Sequence, residues 1–313
     1  MCADVSVDTK VFAVVVTFNR RDLLEKCICA LQLQTNALQR IVVINNASTD
    51  DTDEWMRSSG LLSDSRLFYY LASENLGGAG GFAIGMQLAL DRGAEWIWMM
   101  DDDAEPEADA LERLMEVASE TGNIYGSLAV SGAETAWSTS ITVDGVKRVV
   151  ELSGDVPNCA QVVSLPFLGF MIHRCLVEKI GLPDAGFFIA GDDAEYCMRA
   201  AQVGAEIIIV GTSRINHPKS ERYFLSLPGR RLVCLRLPPW KRYYDTRNRL
   251  LIAKRHYGRY LLTQTIPSLL LRLCATLLRE PCRAMQLWAF MAGFIDGLLG
   301  LKGRRHALWG ISL

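Results

Sequence analysis

Histidine is scarce in this chain, its cysteines follow no pairing pattern, and neither sign of charge prevails. Only four histidines occur in 313 residues, and a lone loop histidine is more often an ordinary polar residue than a ligand. The nine cysteines form no C-x-x-C pair and no zinc-like spacing, which argues against a zinc or dithiol centre. Several sit in apolar runs, where a reduced cysteine acts as a small hydrophobe, so a reducing cytoplasm is the expected compartment. Residues 1–10 show neither a basic end nor a long apolar core, and no signal peptide is expected there. The net charge of -2 and a pI near 6.1 argue against a nucleic-acid partner. Neither Leu-rich run near the C-terminus reaches the ~18–20 uncharged residues of a spanning helix. Internal repeats and low-complexity linkers are also absent.

Half the residues are hydrophobic and 22% are charged, as in a globular protein able to bury a full core. The first third alternates buried-type strands (11–17, 41–44, 67–71 and 96–100) with helical patterns (22–33, 50–58, 82–92 and 108–120). Such alternation predicts βαβ units, and hence an α/β fold with a mostly parallel sheet flanked by helices. Ligands bind beyond the carboxyl ends of such strands, so Thr17, Asn45 and Asp101 should converge on one cleft. Shorter β-like pieces fill 122–173, helices return at 174–180 and 192–202, and 206–210 reads as a fifth strand. Residues 1–220 are expected to form the α/β domain, and 221–313 a basic, aromatic segment with a Leu-rich helical tail. Between Lys219 and Arg259 stand twelve Lys or Arg against only Glu221 and Asp245. The Leu-rich helices beyond Tyr260 fit amphipathic packing on a membrane surface or on the domain itself.

The apolar strand ending at Met100 runs straight into Asp101, Asp102 and Asp103. Three adjacent carboxylates repel one another unless a cation sits among them, and Mg²⁺ or Mn²⁺ favours such oxygen ligands. The alternative is an acidic turn capping a helix that opens near Glu105-Pro106-Glu107. Residues 74–82, with glycines at 77, 78, 80 and 81, read as a turn leading into a helix. There backbone N–H groups can approach a pyrophosphate closely. The segment from Gly78 also fits the loose dinucleotide fingerprint, which keeps an NAD(P)-dependent oxidoreductase open. Against it, these glycines follow the third strand, and a ribose clamp needs one acid. Asp192, Asp193 and Glu195 open a second helix, either as a favourable acidic first turn or as a source of a catalytic carboxylate. His217 closely follows the fifth strand, where the βα pattern would return it to the cleft.

Six segments together resemble family 2 glycosyltransferases of the GT-A fold. They are Val14–Arg20, Val43–Asp50, Asn75–Phe82, Asp101–Asp103, Asp192–Tyr196 and Tyr244–Arg249, in family order, covering the chain to about residue 255. Asn75-Leu76-Gly77-Gly78-Ala79-Gly80-Gly81-Phe82 with the acid triplet looks most like bacterial galactofuranosyltransferases. Rhamnosyltransferases share the Asn-x-Gly loop and the Asp296-Gly297-Leu298-x-Gly300 pattern. The resemblance implies a nucleotide-sugar donor, Mn²⁺ or Mg²⁺, and inversion by single displacement. Carried over by position, Thr17, Asn19, Arg20 and Asn45 serve the uridine end of the donor, with Asn45 where the family usually has Asp. Asn75, Gly77, Gly78, Asp101 and Asp102 complete the donor site. Asp101, Asp103 and His217 match the metal positions, and Asp193 matches the catalytic base.

The expectation is therefore an inverting, metal-dependent hexosyltransferase. UDP-galactofuranose is the leading donor and dTDP-rhamnose the alternative. The acceptor is a glycan or lipid-linked glycan of bacterial surface polysaccharide, at the inner face of the cytoplasmic membrane. A non-catalytic nucleotide-sugar-binding subunit would keep the same cleft without a working base.

Overall fold

Seven apolar or β-branched residues in succession form β1 (Val11–Thr17), which is buried along its whole length. A strand with no polar face needs cover on both sides, and the chain supplies it by alternating strands with helices. The structure, a computed structural model, describes residues 9–219, 222–227 and 230–312. The opening residues 1–8 and the expected domain boundary at 220/221 lie outside the described residues.

After β1 follow α1 (Arg21–Gln32), β2 (Arg40–Asn45), α2 (Thr52–Ser58), β3 (Leu67–Leu71), α3 (Gly77–Asp91) and β4 (Trp96–Asp101). Next come β5 (Glu105–Pro106), α4 (Ala110–Val117), β6 (Ile124–Ser131), β7 (Glu134–Val143), β8 (Val146–Leu152), β9 (Cys159–Val162) and β10 (Phe170–His173). The first unit continues with α5 (Arg174–Ile180), α6 (Asp192–Gln202) and β11 (Ile207–Asn216). The strands form one sheet in the order β3-β2-β1-β4-β10-β6-β11-β9-β7-β8, with β5 beside β11. Pairing is parallel through β3-β2-β1-β4 and between β6 and β11, and antiparallel elsewhere. The sheet is thus mixed, because 124–162 carries no crossover helix and its strands turn back on one another.

The two faces of β1 have separate cores. Val14 and Val16 pack with Phe82 and Met86 of α3, whereas Ala13 and Val15 pack with Leu24 and Ile28 of α1 and Leu111 of α4. The glycine-rich segment belongs to the first of these cores. Helix α3 starts at Gly77 and not near Phe82, as helical periodicity predicts, so these glycines lie inside the helix. Packing overrides propensity there. A Cβ on Gly81 would stand 2.6 Å from Val16 Cγ1, and one on Gly85 only 2.3 Å from Val14 Cγ1. Gly85→Ala gains about 1 kcal/mol of helix propensity, but overpacking costs ~1–3 kcal/mol. The expected outcome is a lower denaturation midpoint. Gly78→Ala is the control, since a Cβ there meets no atom within 4 Å, and its midpoint should hold or rise.

A second compact unit comprises 184–195 and 220–313, so the division falls within α6. It contains the hairpin β12 (Arg222–Leu227) and β13 (Arg230–Leu235), then α7 (Pro239–His256), α8 (Ile266–Arg279) and α9 (Arg283–Leu299). Its core gathers Phe188, Tyr243, Tyr244, Ala289 and Ala292. The helical run Leu261–Arg279 is long and apolar enough to cross a membrane, with mean hydropathy 1.5. Counting only uncharged residues misses it, because Arg272 and Arg279 interrupt the apolar run. All eight cysteines among the described residues are free.

Candidate active site

Strand register brings the expected residues to one edge of the first unit. Thr17 pairs with Asn45, Asn45 with Leu71, and Val16 with Asp101. Side chains alternate across a strand, so Asp101 points toward the α3 face, while Thr17 lies on the opposite, α1 face.

On that α1 face Asp102 is buried at 3% exposure, accepting from Thr17 Oγ1 at 2.7 Å and from Arg20 at 3.2 Å. Arg20 also donates to Asp103 Oδ2 at 2.9 Å. The guanidinium is therefore one cation that relieves the triplet's repulsion, a role composition alone assigns to metal. Burial pushes the Asp102 carboxyl above its ordinary range, outweighing Thr17 and Arg20. Burial also pushes Asp103 upward, but the neighbouring His217 imidazole and the Arg20 guanidinium hold it below the ordinary range.

His217 reaches the acids through the backbone. The tiny strand β5 pairs Glu105 with Asn216, so the residue after β11 lands beside the acidic turn. His217 Nε2 lies 3.4 Å from Asp103 Oδ1, its backbone N–H donates to Val130, and Trp137 packs edge-on at 5.6 Å. Asp103 Oδ1 and His217 Nδ1 are both buried without a hydrogen-bond partner. A buried carboxylate oxygen left open beside an imidazole suits a hard divalent ion, which keeps other positions for substrate phosphates. Among the described residues no three His, Cys, Asp or Glu side chains close on one point. Asp103 and His217 are the pair the structure brings together, and Asp101 ends the strand next to them.

On the other face, Asn46 anchors the start of α3. Its amide donates to Gly77 O at 2.9 Å and to Asn75 Oδ1 at 3.2 Å, and its oxygen accepts from Leu76 N. Asn75 in turn accepts from Gly77 N at 2.8 Å. Gly77 has φ +71°, which suits glycine.

Asn45 is fully buried. Its oxygen accepts from Ser48 N at 2.8 Å, and its amide donates to Tyr69, whose hydroxyl donates to Asp53. Asn19, at φ +55°, accepts from Thr49 N at 2.6 Å and donates to Thr49 Oγ1, tying the end of β1 to the loop after β2.

Asp193 belongs to the second unit. Asp192 is 7% exposed and Asp193 half-buried, with Asp193 Oδ1 accepting from Ala194 N at 2.6 Å. Burial raises the proton affinity of both carboxyls, and Asp193's charge raises that of Asp192 further. Sequence reasoning did not single out Asn46, Tyr69 or Trp137. Asn46 is legible in hindsight from its place after a strand-end Asn, but no local pattern marks Trp137, 80 residues from His217 in sequence.

Comparison with known proteins bears on the family and the fold. The model of glycosyl transferase family 2 matches residues 12–161. The chain is 30% identical over 265 residues to galactofuranosyltransferase GlfT1 of Mycobacterium tuberculosis (strain CDC 1551 / Oshkosh), covering 81% of this chain and 85% of that protein. It is 21% identical to the dTDP-rhamnosyl transferase RfbF of Shigella flexneri, covering 95% and 98%. Among solved structures, GalNAc-T7 with UDP, GalNAc and Mn²⁺ aligns with a TM-score of 0.63 at 14% identity. That alignment covers 93% of this chain and 56% of the other. The mannosyltransferase PcManGT of Pyrobaculum calidifontis, in complex with GDP-Man and Mn²⁺, aligns at 0.56 and 17% identity over 95% and 90%. At such identities the structural likeness speaks to the fold, and that fold is GT-A.

Proposed function

This chain belongs to glycosyl transferase family 2, and on that footing we propose that it transfers galactofuranose from UDP-galactofuranose to a glycan or lipid-linked acceptor. The observation that carries the chemistry is the open Asp103 Oδ1 beside His217 at the carboxyl edge of β4. Asp103 and His217 would hold Mn²⁺ or Mg²⁺, with Asp101 as the further ligand. Bound there, the ion neutralises charge that builds on the departing diphosphate. Thr17, Asn19, Arg20 and Asn45 shape the uridine end. Asn75, Gly77 and Gly78 offer backbone to the diphosphate, while Asp101 and Asp102 complete the donor side. An acceptor hydroxyl oxygen bonds to the anomeric carbon as the bond to the diphosphate oxygen breaks, and Asp193 takes the hydroxyl proton. The product is inverted and UDP leaves.

Likeness to GlfT1 supports galactofuranose, and the weaker likeness to RfbF keeps rhamnose as the alternative. With Mn²⁺, UDP-galactofuranose should raise the melting temperature and undergo slow hydrolysis, while dTDP-rhamnose does neither. The reverse pattern would assign the rhamnosyl donor. Gly78→Ala, with its stability intact, should weaken UDP-sugar affinity.

We further propose that the second unit docks on the inner face of the cytoplasmic membrane. Leu287, Trp288, Met291, Ile295, Leu298 and Leu299 form an exposed stripe along α9, each 38–67% accessible. Such a face favours an apolar or interfacial partner. Charge commits it to anionic lipid. From Arg259 to the end of the sequence there are seven Lys or Arg and two acids. Both acids, Glu280 and Asp296, are buried against Arg242 and Arg305. Arg272, midway along α8, donates to Val233 O at 2.6 Å, which favours a helix lying at the interface over one that spans. Ile295→Glu with Leu298→Glu should weaken binding to phosphatidylglycerol vesicles at least tenfold and leave UDP affinity unchanged. Equal vesicle binding would refute the docking face.

A further inference from the structure

The four residues before the acidic pair have an unusual backbone. Phe188 lies at φ 64° and ψ -62°, with Ile189 N donating to Phe187 O at 2.8 Å. This is a γ-turn of the strained, positive-φ kind. Ala190 follows at φ 69° and Gly191 at φ 81°. Two non-glycine residues in that region cost ~1–3 kcal/mol each and persist only where neighbours over-determine them.

The neighbours that do so stand side by side on α7. Asn248 Nδ2 lies 3.0, 2.8 and 2.7 Å from the carbonyl oxygens of Phe187, Ile189 and Ala190, donating to all three. Arg247 donates to Gly186 O at 3.1 Å, Phe187 O at 2.7 Å and Gly303 O at 2.6 Å. Its Nε donates to Asn248 Oδ1 at 2.8 Å, fixing which end of the amide faces the loop. Both side chains are buried, at 0% and 1% exposure. Phe188 stacks on Tyr244 at 4.9 Å, one helical turn before Asn248. Beyond the acidic pair, buried Glu195 meets Arg255 at 2.9 Å and His256 at 3.3 Å, again on α7. Helix α7 therefore grips the chain on both flanks of Asp193.

We propose that Arg247 and Asn248 are positioning residues, which hold 186–191 in its strained path so that the Asp193 carboxylate is aimed at the acceptor hydroxyl. A clamp needed only for folding would not require two buried polar side chains on four carbonyls of one short strained loop. The proposal rests on Asp193 being the base. Misplacing a reacting group by ~1 Å costs about 10²-fold in rate.

The test is a double-mutant cycle on the full-length protein. Asn248→Ala should lower kcat about 100-fold, change KM for donor and acceptor little, and leave Mn²⁺-dependent UDP affinity unchanged. Asn248→Ser, which keeps one donor, should recover part of that loss. In the Asp193→Asn background, Asn248→Ala should cost nothing further, because a residue that acts through the base has no effect once the base is gone. Full additivity of the two losses would overturn the proposal, and so would an Asn248→Ala enzyme with unchanged kcat. Failure of both position-248 variants to fold would make the clamp purely structural and overturn it as well. A near-normal rate for Asp193→Asn alone would remove the base assignment first, a result distinct from these.

Discussion

Asp193→Asn will bind UDP and divalent metal as the unaltered protein does and lose transfer by ~10²–10⁴-fold, the usual worth of general-base catalysis. Asparagine keeps the size and helix-capping ability of aspartate, so a residue that only caps would tolerate the change. Asparagine cannot accept the acceptor's proton. Steady-state transfer with donor and acceptor, beside UDP binding and melting temperature, separates the roles. Normal rate in a normally folded variant would refute the assignment and leave a nucleotide-sugar-binding subunit as the better description.

A pH profile adds an independent check on this group. Burial raises the folded-state proton affinity of Asp193 and Asp192 above the ordinary carboxylate range. Below the raised value the base is protonated and idle, so the acidic limb of kcat should fall above pH ~4, where a free aspartate titrates. The same shift has a stability sign. A group with raised folded pKa adds stability at low pH and loses it as pH rises through that value. Asp192→Asn removes that loss, so it should keep turnover while gaining stability above the limb. A larger loss of rate at 192 than at 193 would exchange their roles.

How much of this was legible in sequence depends on the range of the interactions. β1 and β3 are read to the residue because each is an unbroken apolar or aromatic run, fully buried in β1 and only partly buried in β3 at the sheet edge. β11 runs to Asn216, beyond the apolar 206–210, because Arg214, Ile215 and Asn216 are recruited by β6, the last two also by β5, across a register shift. No local pattern announces that pairing. It decides the site nonetheless, since it delivers His217 to Asp103 across 114 positions of sequence. The start of α3 was hidden for the opposite reason: four glycines look like a loop unless Val16 is known to press against Gly81, as Val14 does against Gly85 a turn later. Arg20's double role was hidden too, because an acid triplet looks like a metal site whether or not an arginine is folded across it. Membership of family 2 sets the dinucleotide reading of the same glycines aside.

Asp103 and Asp102 stand next to each other in sequence and should fail in different ways. Asp103 keeps one buried oxygen open beside His217, whereas both oxygens of Asp102 are taken by Thr17 and Arg20. Asp103→Ala is therefore expected to abolish transfer and remove the Mn²⁺-dependent part of UDP affinity. In chelator, where that part is already gone, variant and unaltered protein should bind UDP alike. His217→Ala should act in the same direction less severely, since one ligand of the pair remains. Asp102→Ala instead strands the buried Thr17 hydroxyl, at a cost of about 1–3 kcal/mol. It should lower the melting temperature and retain a UDP affinity that still responds to Mn²⁺. Isothermal titration of UDP with and without Mn²⁺ reads both variants. Undiminished turnover in excess chelator, or a metal response that survives at 103 and vanishes at 102, would overturn the division of labour between the two acids.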